Sequence, residues 1–108
     1  MIELVKKEDY TKLAAMIVYR GTDQARKWKD VCNPNNSKEL DHVKSGSDRI
    51  KKYLGEDFKY THKECISETE SEGTWHVLIL NTTYRGEQKE RAFAFLEIKG
   101  TFALGDID

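Results

Sequence analysis

The chain has 108 residues, 34% charged and 38% apolar, and its 18 basic and 19 acidic side chains leave a formal charge of −1. That length supports one core, so a single domain over residues 1–108 is expected. The near-neutral balance excludes the basic excess that a nucleic-acid footprint needs. No run approaches the roughly 18 apolar residues of a membrane span, and "MIELVKKEDY" lacks the apolar centre of a secretory leader. A soluble protein with no membrane partner is expected, cytoplasmic by default; an exported protein whose leader has been removed would carry the same residues.

From Glu8 to Arg20, apolar residues recur at helical spacing (Tyr10, Leu13, Ala14, Ile17, Val18) behind acids in the first turn, which predicts an amphipathic helix. Gly21 ends it, and "GTDQARKWKDVC" predicts a short second helix capped by Thr22 or Asp23. Pro34 makes "CNPNNS" a loop. A third helix starts at Asn36, where Glu39 completes a capping-box pattern, and runs through Leu40, Val43, Ile50 and Leu54 to a terminal Gly55. Gly46, inside "KSGSD", predicts a bend there.

Period two then replaces helical spacing. "FKYTHKECIS" alternates Phe58, Tyr60 and His62 against polar residues, and "ETESEG" reads as an acidic turn. "TWHVLILNTTY" is apolar on both faces from Val77 to Leu80, as expected of a central strand covered on each side. "RGEQ" reverses the chain into "KERAFAFLEIK", and Gly100 turns that into "TFALGDID". Helices over about 8–55 followed by a meander over about 57–108 predict an α+β fold, N-terminal helices against a four-stranded antiparallel sheet. The first helix, with the most apolar stripe, is the natural cover for that sheet.

The closing pair "FAFLEIKGTFALGDID" places Phe93, Phe95, Leu96 and Ile98 before Gly100, Phe102, Leu104 and Asp106. In that pattern, and mainly over residues 74–108, the chain resembles the nuclear transport factor 2-like, cystatin-like superfamily and its small bacterial members. The resemblance implies a cone, in which a strongly curved sheet wraps the longest helix. Enzymes of that superfamily set an aspartate or histidine inside the cone, and no position here matches those acids.

Several side chains are candidates for a site. Tyr19, Trp28, Tyr60 and Trp75 are expected either to line the mouth of a ligand cavity or to pack in the core and rim. His62 shares a strand face with Glu64 by spacing, and with His42 and His76 it supplies acid–base or metal-binding chemistry in principle; a metal would need a third ligand. Asp106 becomes a general base only if the last strand buries it, whereas an edge strand ending in exposed Asp106 and Asp108 discourages aggregation. "RKWKD" at 26–30 reads as a solvated helix face over a packed Trp28. "NNS" and "NTT" match the glycosylation acceptor pattern by chance. Cys32 and Cys65 lack the paired spacing of a zinc framework; free buried thiols, a disulfide and a functional thiol remain as readings.

No cofactor motif is present. A non-catalytic binding or interaction domain is expected, taking a small apolar ligand in the cone or a protein partner, with homodimerisation through the sheet. The alternative is a small isomerase- or cyclase-like enzyme with a buried acid as proton shuttle. A buried acid facing a cavity beside an oxyanion donor would separate them.

Overall fold

The computed structural model describes residues 1–55 and 59–108. Phe58, expected to open the first strand, lies outside the described residues. In chain order the elements are α1 (Ile2–Lys6), α2 (Tyr10–Leu13), a 3-10 turn (Ala14–Met16), α3 (Ser37–Leu54), β1 (Tyr60–Glu70), β2 (Gly73–Tyr84), β3 (Glu87–Ile98) and β4 (Thr101–Ile107). The four strands form one antiparallel sheet in the order β1-β2-β3-β4. The chain is therefore α+β, and no helix among the described residues is long and apolar enough to cross a membrane.

α3 forms where its signals place it. The Asn36 side chain accepts from the N–H groups of Lys38 and Glu39, satisfying two orphan donors of the first turn. Gly55, at φ 76, ends the helix in a conformation that disfavours side chains. Val43, Ile50 and Leu54 recur on one face and fall in one buried cluster with Leu80, Phe93, Leu104 and Ile107 of the strands. Arg49 on α3 also donates to the Ile107 carbonyl at 2.8 Å. α3 runs unbroken through Gly46, where an added Cβ would meet the Ile17 methyl at an ordinary 3.7 Å.

The two earlier helices differ from expectation. The predicted 8–20 helix stops at Met16, and Ile17 turns extended at φ −119, ψ 127. Ile17, Val18 and Tyr19 find better hydrogen bonds elsewhere: Val18 N–H donates to Leu104 O at 3.0 Å, and Cys32 N–H donates to Ile17 O at 2.9 Å. Ile17 thereby forms a parallel bridge to β4. β-branched side chains favour that outcome over a helix. The predicted helix over 22–32 is a single turn, with Arg26 and Lys27 N–H on Asp23 O, closed by Trp28 at φ 66. The strand side chains share their buried cluster both with α3 and with Val5, Leu13, Ala14 and Ile17 of the segment before it.

The hairpins follow glycine. Arg85–Gly86 and Lys99–Gly100 both carry positive φ (50 and 80, 51 and 81), the backbone of a two-residue primed turn that suits twisted antiparallel strands. The acidic turn is shorter than the sequence suggests, since β1 runs to Glu70 and only Ser71 and Glu72 reverse the chain. β2 is not covered on both faces as expected. Val77 and Ile79 are half-buried, and their neighbour Ile66 is 41% exposed.

Candidate functional site

Strand alternation and register sort the sheet into two faces. Leu78 opposes Phe93 and His76 opposes Phe95, so these four point together with Leu80; we call this the front, because Leu80 and Phe93 share the α3 core. Trp75, Val77 and Ile79 point to the back beside Leu96, Ala94 and Ala92.

On the front, β1 is left exposed, and Met1 with the start of α1 walls the gap. Met1 and Ile2 face Ile50 and Leu54 across a groove of about 460 Å³ whose floor is Leu78, Leu80, Phe93 and Phe95. Tyr60, His62 and Glu3 edge it, and all three are exposed. The floor continues past Leu78 and Phe95 into a second hollow of about 300 Å³ bounded by Cys65, His76 and Phe102. Here His76 is held on both ring nitrogens: Nδ1 lies 3.0 Å from Ser67 Oγ, and Nε2 lies 3.4 Å from a Glu97 carboxylate oxygen. Phe102 meets the imidazole edge-on at 4.9 Å between centroids. Three adjacent strands thus fix His76 as a cross-strand tie.

The back holds the tryptophans. Trp28 and Trp75 meet edge-to-face at 5.8 Å and pack on Val18, Leu96, Ile98 and Ala103. The Arg20 guanidinium lies 5.0 Å from the Trp28 ring while donating to Gly105 O. Trp75 donates from Nε1 to Glu72 at 2.8 Å, and its indole lies where a side chain on Gly105 would stand, 2.6 Å from that Cβ position. Glycine at 105 is what lets the indole lie across β4.

Tyr19 sits in a third environment. Its hydroxyl accepts from Asp23 N–H, and the Arg26 guanidinium stacks on its ring at 4.1 Å. Arg26 bonds Asp30 at 2.8 Å and buried Glu39 at 2.7 Å, and Glu39 also accepts from Asn33 N–H. Those contacts hold the Glu39 and Asp30 carboxyls below the usual range, with the Arg26 hydrogen bond the largest cause for each. His42, in the neighbouring cleft, is held low by partial withdrawal from water and then by Arg20 and Arg49.

The aromatic quartet therefore does not converge: Tyr60 edges the front groove, Trp28 and Trp75 lie on the back, and Tyr19 packs beside Arg26. His62 and Glu64 do not share a face. A register shift between them sets His62 opposite Leu80 and Glu64 opposite Ile79, on opposite sides of β2. Asp106 is exposed, so the burial that would make it a general base does not arise. Cys32 and Cys65 are both free; Cys32 is buried, and desolvation pushes its thiol up to about 11, while Cys65 is exposed on the front. Among the described residues no group of three or more His, Cys, Asp or Glu is placed to hold a metal.

The groove itself was missed as a site in the sequence, although its floor was written there as alternate apolar positions at 78, 80, 93 and 95. Comparison with protein-family models, with curated proteins and with solved structures finds no match to this chain.

Proposed function

We propose that the protein is a non-catalytic binding module that takes a small, mainly apolar molecule in the front groove, and that it is a compact relative of the cystatin-like cone. The observation that carries this reading is the groove's composition: four large apolar side chains form the floor, four more form the walls, and polar groups occur only at the rim. A space of about 460 Å³ falls within the range of small-molecule sites. Tyr60 and His62 at the rim suit one hydroxyl or carbonyl on the ligand. Helices ahead of a meander closed by a Gly100 hairpin support the kinship. For the enzyme alternative, the front groove has no acid on its floor, and buried Glu39, which lines the cleft beside His42, is already engaged by Arg26 and Asn33 N–H.

The test uses N-phenyl-1-naphthylamine, an uncharged dye that brightens in apolar sites, with decanol as competitor. The expected result is saturable dye binding displaced by decanol, weakened at least roughly tenfold by Leu78→Arg, which sets a charge on the floor. Trp75→Phe, on the back, should leave binding unchanged. Absence of saturable binding, or equal binding by Leu78→Arg in a variant that remains folded by circular dichroism, would overturn the proposal.

A further inference from the structure

The two edges of the sheet are treated differently. β4 is partnered beyond the sheet by Ile17 and Val18, the latter donating to Leu104 O. β1 carries no strand on its outer side among the described residues, and all eleven of its residues are exposed. A long bare edge presents a row of backbone donors and acceptors to any strand of matching character, and proteins ordinarily blunt it with charges and bulges. β1 has both, but its charges are segregated. Lys59, just before the strand, and Lys63, which also pairs with Glu90 of β3 at 2.9 Å, stand at its start with Glu64 beside them, while Glu68 and Glu70 stand at its end with Glu72 in the turn beyond, so the start keeps a basic excess and the end is wholly acidic.

We propose that β1 pairs antiparallel with β1 of a second copy of this chain, about a two-fold axis near Cys65 and Ile66, joining two four-stranded sheets into one of eight. This proposal is independent of the ligand-binding reading. The inverted copy is the partner that the charge pattern selects. It lays the basic start of each β1 against the acidic end of the other, whereas parallel addition would set acids beside acids. Opposite charges across paired strands stabilise and like charges oppose pairing, so the same residues admit one orientation and reject the other. Ile66, 41% exposed on the back, lies near the axis, where its counterpart comes alongside. A two-fold axis perpendicular to the sheet keeps both front grooves on one side of the dimer.

The test is a charge swap read by sedimentation velocity across a wide concentration range. The parent should be dimeric. Glu68→Lys with Glu70→Lys leaves Glu64 as the one acid of β1 and makes both of its ends basic, and Lys59→Glu with Lys63→Glu makes both ends acidic; each double variant should dimerise at least roughly tenfold more weakly. An equal mixture of the two should recover a heterodimer. Urea unfolding of each double variant checks that it is folded before its assembly is read. A parent that stays monomeric, folded double variants that dimerise like the parent, or a mixture that stays monomeric would each overturn the proposal. So would a dimer abolished by Val77→Arg on the back face and untouched by the charge swap, because it would place the interface on that face.

Discussion

Glu39→Gln is the sharpest test of how the segment before α3 is held. Glu39 is buried, 8% exposed, and one of its oxygens receives both the Arg26 guanidinium at 2.7 Å and the Asn33 amide at 3.0 Å. Glutamine keeps the size and one carbonyl acceptor but removes the charge. Hydrogen bonds to charged groups contribute about 1.5–3 kcal/mol, against about 1 for neutral ones. Arg26 keeps Asp30 as a partner and its side chain is 29% exposed, which discounts the loss. The expected destabilisation is about 1–2 kcal/mol at neutral pH, or roughly 4–16 °C in Tm for a domain near this size. Urea unfolding followed by tryptophan fluorescence reads it directly.

The sign of its pH dependence is fixed as well. The folded Glu39 carboxyl titrates below its ordinary value of 4.5, so its stabilisation is fully present above that value and is lost as pH falls through the folded pKa. Below it, protonated Glu39 resembles glutamine. The gap between parent and variant should therefore close in acid. A gap that is absent at neutral pH, or that keeps its full size well below the folded pKa, refutes the assigned role of the Arg26 contact.

Gly105→Ala should cost about 1–3 kcal/mol in urea unfolding, because the new methyl enters the space of the Trp75 indole and forces it off Leu96 and Ala103. A shifted tryptophan emission maximum should accompany the loss, and an unchanged spectrum with unchanged stability would contradict the packing. Leu96→Ala, at a fully buried position beside both tryptophans, should cost about 2–5 kcal/mol. Titration with a thiol reagent at neutral pH should modify Cys65 quickly and Cys32 only on unfolding, because Cys32 is buried with its thiol pushed up to about 11; two equally fast thiols would count against that burial.

What the sequence disclosed depended on whether a feature was local. The Asn36 cap, the Gly55 stop and the glycine hairpins each act over a few residues, and α3 and the meander were legible from them. The segment from Ile17 to Cys32 was not, because its conformation is set by partners far away in the chain: Leu104 for Val18, and Trp75 for Trp28. Helical spacing of Leu13, Ala14, Ile17 and Val18 was present, yet bonding to β4 overrode it. That the aromatic candidates do not converge was hidden for a related reason. Tyr60 and Trp75 are both strand aromatics, but only the register shows that they lie on opposite faces, and the shift after His62 cannot be read from alternation. The groove was half-legible: its floor follows period two, while its open side lies toward β1, which is exposed along its whole length.

The strand order has a kinetic consequence. Each strand pairs with its immediate successor across a two-residue reversal, so the sheet can assemble by short-range closure, one hairpin at a time. The bridge from Ile17 to Leu104 joins nearly opposite ends of the chain and must await a formed β4. The contacts of Ile17 and Val18 with Leu104 are therefore expected to form late, and weakening them should speed unfolding while leaving the folding rate nearly unchanged. On that expectation, the link from Ile17 and Val18 to β4 sets the persistence of the native state rather than the speed of reaching it.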